Sequence, residues 1–111
     1  MLEALWSITF RASNSPHLIG AGVVVIDNGR ILGGDTSFTF VGDVRVSGDS
    51  LNARVRVSKY NSMLSSITGL DNYTALFEGK VDRTHMQLVG QVEKLPHIKL
   101  MVEMIRRAEL P

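Results

Sequence analysis

The sequence predicts an all-β domain in which eight antiparallel strands run up and down and close into a small barrel. Three observations predict it. Apolar and polar residues alternate with period two along nearly the whole chain, as in strands with one face in a core and the other in water. Glycine- and asparagine-rich turns interrupt the alternation at short intervals. The 111 residues, 44% hydrophobic and 21% charged, supply one compact core and no second module, so residues 1–111 form a single domain. Open sheets of this size leave two unpaired edges and closure removes both, which places the barrel ahead of a two-sheet sandwich.

The strands fall near 4–11, 20–27, 30–34, 36–46, 51–59, 73–80, 85–93 and 98–107. In the first, Trp6, Ile8 and Phe10 share one face and Ser7, Thr9 and Arg11 the other. Gly20-Ala21-Gly22 leads into the β-branched run Val23–Ile26, and Asn28-Gly29 then gives a hairpin, since a type I′ turn needs positive φ at both central residues. Gly33-Gly34-Asp35 reads as a bend, and Gly42 inside a good strand as a bulge or kink. Ser47-Gly48-Asp49-Ser50 makes a second hairpin, leading into the clearest alternation of the chain, Leu51 to Ser58. The longest connection, residues 61–71, is open between an irregular loop and a helical turn packing Met63, Leu64 and Ile67 downward with Gly69 as its stop. Val81–Thr84 joins the next pair, where Met86, Leu88 and Val92 take the buried side.

Charge and composition narrow the function classes. Twelve Lys+Arg against eleven Asp+Glu give a net charge of +1, without the basic excess of a nucleic-acid or anionic-membrane surface. The chain holds no cysteine, which excludes a disulfide framework, a thiolate metal site and a cysteine nucleophile. Residues 1–6 hold Glu3 and no basic region, so no secretory signal is expected. The run Val23–Ile26 falls far short of the roughly 18–20 apolar residues that span a bilayer. A cytoplasmic location follows by default, with no membrane contact and no direct nucleic-acid binding.

Candidate chemistry is sparse. His17, His85 and His97 are scattered singly, without the close spacing of a zinc site, so no metal or cofactor is expected. Gly20-Ala21-Gly22 opens a strand where a phosphate-binding loop would open a helix. Asp27, Asp35, Asp43, Asp49 and Asp71 sit mostly beside glycine or asparagine at turns, where aspartate bonds local backbone, and no Ser/His/Asp arrangement stands out. Arg45, Arg54, Arg56, Lys59 and Arg106-Arg107 suggest a solvated basic face without interleaved exposed aromatics. Asn72-Tyr73-Thr74 matches a glycosylation sequon that needs a secretion route to be used. An enzyme is therefore not expected. The interior is a further candidate site: eight strands enclose a lumen that side chains fill or that holds one small ligand. Its expected lining is Trp6, Ile8, Phe10, Phe38, Phe40, Val55, Tyr73, Phe77, Met86, Leu88 and Val102, with Met63, Met101 and Met104 adding pliable surface.

Several stretches together carry a resemblance. Leu5-Trp6-Ser7-Ile8-Thr9-Phe10, Gly20-Ala21-Gly22-Val23-Val24-Val25, Asn28-Gly29-Arg30-Ile31-Leu32-Gly33-Gly34-Asp35, Phe38-Thr39-Phe40-Val41-Gly42 and Arg54–Asn61 make the chain resemble the GrlR family, negative regulators of type III secretion gene expression. The most specific part is the Asn-Gly to Gly-Gly-Asp stretch, and the likeness covers most of the chain. It implies a calycin-like, lipocalin-like eight-stranded barrel, a homodimer, and regulation of transcription through a protein partner such as an activator. The family's virulence-locus repressor binds its helix-turn-helix activator with an acidic Glu-Asp-Glu-Asp hairpin. The corresponding hairpin here, Ser47-Gly48-Asp49-Ser50 with Asp43 nearby, is the candidate partner-binding element but lacks the tract, and with it the long-range steering of four clustered charges. Two functions are thus expected in order: a GrlR-like regulator acting by protein contact, and a carrier of a small apolar ligand in the lumen.

Overall fold

A computed structural model describes residues 2–111. They contain eight strands and no helix: β1 (Ala4–Ala12), β2 (Gly20–Asp27), β3 (Arg30–Gly34), β4 (Phe38–Ser47), β5 (Ser50–Lys59), β6 (Asn72–Lys80), β7 (His85–Val92) and β8 (Leu95–Ala108). Each pairs antiparallel with its sequence neighbours, and β1 pairs with β8, so the sheet is a closed up-and-down barrel. Closure leaves no strand edge to template aggregation.

Local sequence explains the turns. Asn28 and Gly29 adopt φ of 54° and 76°, as the type I′ geometry demands. The β4–β5 hairpin turns on Gly48, at φ 61°, with Ser47 paired to Ser50 across it. Residues 61–71 form an irregular loop of bends and turns and no helix. The loop's polar side chains bond its own and neighbouring backbone instead, which competes with helix formation. Gly42 does not mark a bulge: its register runs unbroken between Ile31 and Val55. A Cβ there would run into the Arg54 carbonyl, so the missing side chain permits close strand approach. The register shifts lie elsewhere, between Leu5 and Trp6 and between Gln91 and Val92. The second lets β8 begin at Leu95, earlier than the alternation predicts, because Pro96, His97 and Ile98 are absorbed in the irregularity.

The core is one cluster through the barrel, with a smaller one of Ala12, Ala75, Val92, Ile98 and Leu100 towards one end. Trp6 is fully buried, and its Nε1 donates to the Leu2 carbonyl at 2.9 Å. The Arg106 guanidinium lies 5.9 Å from the Trp6 ring centroid and donates to the carbonyls of Glu3 and Arg83 at 3.3 Å each. Leu51 and Met86, also fully buried, belong to the same cluster as Trp6. The end carrying the chain start, the 28–29 and 48–49 turns and residues 81–84 is thereby closed.

Two methionines expected inside are outside. Met101 is 60% exposed because β8 turns Leu100, Val102 and Met104 inward, leaving the odd-numbered positions to solvent. Met63 is 75% exposed, on the loop after β5. Among the described residues no helix is long and apolar enough to cross a membrane.

Candidate functional site

The opposite end is built differently. Four connections meet there: residues 13–19, the 35–37 bend, the 60–71 loop and the Glu93-Lys94 turn. The Asp35 carboxylate accepts backbone N–H bonds from Ser37 and Phe38 at 2.9 and 2.8 Å, which fixes the bend. Ser37, fully buried, donates from Oγ to Asn61 Oδ1 at 2.9 Å and accepts from the Leu64 N–H at 2.9 Å. Asn14 donates to the Thr68 carbonyl at 2.9 Å, joining the other rim loop to the same segment. Residues 60–71 therefore lie across the barrel end, tied on both sides. Ile67 and Leu70 pack against the smaller core cluster, so the loop is apolar below and polar at its ties.

Beneath Ile67 is an internal cavity of about 70 Å³. Fifteen residues line it, and Tyr73 is the only one with a polar side-chain atom. A water needs only roughly 10–15 Å³ of such space but also polar partners, so this cavity has room for small molecules and little to hold water. It is well below the roughly 300–1,000 Å³ of sites that enclose a drug-sized ligand. Above it, a recess of about 460 Å³ opens between the rim loops. Phe10, Phe40, Val57, Ile67 and Tyr73 line both spaces, so the recess is the mouth of the cavity. Leu18, Ile19 and Leu64 stand exposed around it. Phe10 and Phe40 meet edge to face, with centroids 5.7 Å apart.

The sequence-derived lining residues separate into groups. Ile8, Phe10, Phe40, Val55, Tyr73, Phe77, Leu88 and Val102 surround the cavity, and Phe38 lines the mouth. Trp6 and Met86 do not reach the cavity; both are packed solid in the core. Val24, Ile31, Val57, Ala75 and Leu100 complete the wall, each at a position the same strand alternation points inward. Ile67 had no such signal, since a loop carries no period. The hairpin residues Asp43, Ser47, Gly48, Asp49 and Ser50 are all exposed and sit at the closed end, remote from the mouth.

The other candidates do not converge. Among the described residues no group of three or more His, Asp or Glu could hold a metal ion. Asp27 and Asp43 flank Arg30 across β2–β3–β4, whereas Asp71 holds Lys59 at 3.2 Å. Of the basic residues, Arg54 forks onto Glu93 at 3.3 Å and Arg107 donates to Ser7 Oγ at 2.7 Å.

The fold and this end define a class: a closed eight-stranded antiparallel barrel with an apolar interior opening under a tethered loop. No protein-family model and no curated protein matches the sequence.

Proposed function

We propose that this chain is a GrlR-like regulatory protein that represses transcription of secretion genes by binding a protein partner, as a homodimer and without a catalytic step. The observation that carries the reading is the closed eight-stranded barrel, the architecture the family resemblance implies. Two surfaces suit protein contact. The Gly48-Asp49 hairpin is fully exposed, and its single acidic residue gives it weak steering. On the outer wall, Leu5, Val25, Leu32 and Val41 stand directly opposite one another across β1–β4. Leu32 and Val41 of that row are 45% and 49% exposed, an apolar stripe suited to a second copy. Transcript profiling of the source bacterium with the gene deleted and overexpressed tests the reading. Secretion-gene transcripts rising on deletion and falling on overexpression are expected; identical profiles overturn it.

A second reading is favoured by the mouth and its cavity: the barrel receives a small apolar ligand, carried or sensed. The mouth and the lumen meet through shared aromatic walls, so a short tail can enter beneath Ile67 while its head stays at the rim. Calorimetric titration with octanol tests this directly, with heat saturating at one site per chain expected and no heat at solubility-limited concentration overturning it.

A further inference from the structure

Resting on the apolar-ligand reading, we infer that the mouth selects an amphiphile with a cationic head, such as a quaternary ammonium on a short alkyl tail, over a carboxylate of the same length. The charge of the lining carries this. Fourteen residues line the mouth, and Asp35 is the only charged one among them; none is Lys, Arg or His. A fatty-acid headgroup placed there would meet a like charge and no cation to pair with.

The rings supply the second half of the argument. Phe10, Phe38, Phe40 and Tyr73 all line the same recess as Asp35. Aromatic faces attract cations, most strongly where water is partly excluded. Phe38 already does so, with Lys59 Nζ 5.8 Å from its ring centroid. That lysine is neutralised by Asp71 at 3.2 Å, so it offers an incoming anion little. His17, on the 13–19 rim, is exposed and absent from the lining. The Asp35 charge is felt inside the mouth, since it contributes to holding the Tyr73 hydroxyl protonated. With one carboxylate oxygen taken up by the Ser37 and Phe38 N–H groups, the other is free of bend-fixing bonds. A bulky cation without N–H donors asks only for charge and ring faces, which is what the recess provides.

Calorimetric titration with three probes of one tail length, octyltrimethylammonium, octanol and octanoate, tests the inference. The cation is expected to bind about tenfold tighter than octanoate, the scale of a half-buried cation–π and single-charge contribution, with octanol between them. In Asp35→Asn, which keeps the Oδ1 acceptor of the bend, the cation's advantage over octanol should fall at least about threefold while octanol affinity holds. Octanoate binding as tightly as the cation, or an unchanged preference in Asp35→Asn, overturns the inference and leaves the apolar-ligand reading standing. Failure of all three probes overturns both. If Asp35→Asn does not fold, the order of the three probes on the unaltered chain decides alone.

Discussion

Ser37 Oγ and Asn61 Oδ1 lie 2.9 Å apart, and through that bond the β3–β4 bend holds the loop that crosses the barrel mouth. The same Ser37 oxygen accepts from the Leu64 N–H, while Asn61 donates to the Thr36 carbonyl at 2.8 Å and accepts from the Met63 N–H at 3.0 Å. Ser37→Ala removes both bonds of a fully buried hydroxyl, strands the Leu64 N–H and leaves Asn61 Oδ1 with only the Met63 N–H as donor. Leaving such groups unpaired costs about 1–3 kcal/mol. Denaturant unfolding should show that loss, and hydrogen exchange should accelerate in residues 61–71 more than in the strands. Uniform acceleration across the barrel would contradict the tether.

At the closed end, Trp6 is the sole tryptophan and fully buried beneath Arg106. Its native emission should be strongly blue-shifted and shift red on unfolding, giving a clean probe of global stability. Trp6→Ala should cost about 3–5 kcal/mol, the usual penalty for emptying an aromatic site in a packed core. An unshifted native spectrum would mean the indole is wet.

Gly42 tests strand packing. Its missing Cβ leaves room for the backbone of Arg54 and Val55 on β5, neither of which is a flexible side-chain end. Gly42→Ala should therefore destabilise by about 1–3 kcal/mol through overpacking, whereas Gly48→Ala meets no neighbour and suffers only from its φ of 61°. Comparing the two urea midpoints separates steric crowding from backbone strain.

Much of this barrel is readable from alternation alone, because period-two patterning determines at once the strand, its buried face and its register. That is why Leu51–Ser58 coincides with β5 and why Phe10, Phe40 and Phe77 fall inside. Where the alternation is continuous but the backbone is not, the reading slips: Pro96 masks the start of β8, and Gly42 mimics a bulge it does not make. Alternation also says which way a side chain points and nothing about how much space lies beyond it, so Trp6 and Met86 look identical to true cavity residues. The mouth was least legible. Ile67 enters the lumen, and Asn14 and Ser37 tie the lid, through tertiary contacts that leave no local pattern.

Asp82 gives an acid-side prediction. Its Oδ1 accepts from the Thr84 N–H at 2.9 Å, the His85 N–H at 3.0 Å and the Thr84 hydroxyl at 3.0 Å. The backbone bond from Thr84 leads in holding the carboxylate below its ordinary value of 3.8. A lowered folded value means stability that is present above the ordinary value and lost as pH falls through the folded one. Asp82→Asn keeps the acceptor without the charge. Its melting temperature should lie below that of the unaltered chain near neutrality, and the two should converge as pH drops beneath 3.8. A gap independent of pH would assign the turn's stability to geometry alone.

Tyr73 gives the alkaline counterpart and probes the mouth itself. Burial is the main cause that raises its hydroxyl above the ordinary 10.0; the Asp35 charge adds to this, and hydrogen bonds from Thr68 and Ser66 oppose it. Because the folded value is raised, the associated stability is complete below 10.0 and disappears as pH climbs through the folded value. Tyr73→Phe cannot ionise, so its melting temperature relative to the unaltered chain should rise steadily once pH passes 10.0. Below that pH the phenylalanine variant should match the unaltered chain closely, since the neutral hydroxyl makes no charge-dependent contribution there. Adding Asp35→Asn to the otherwise unaltered chain should move the alkaline loss to lower pH, since one cause of the raised value is gone. If Tyr73→Phe tracks the unaltered chain through the whole alkaline range, the hydroxyl is solvated and the mouth is wetter than its apolar lining implies.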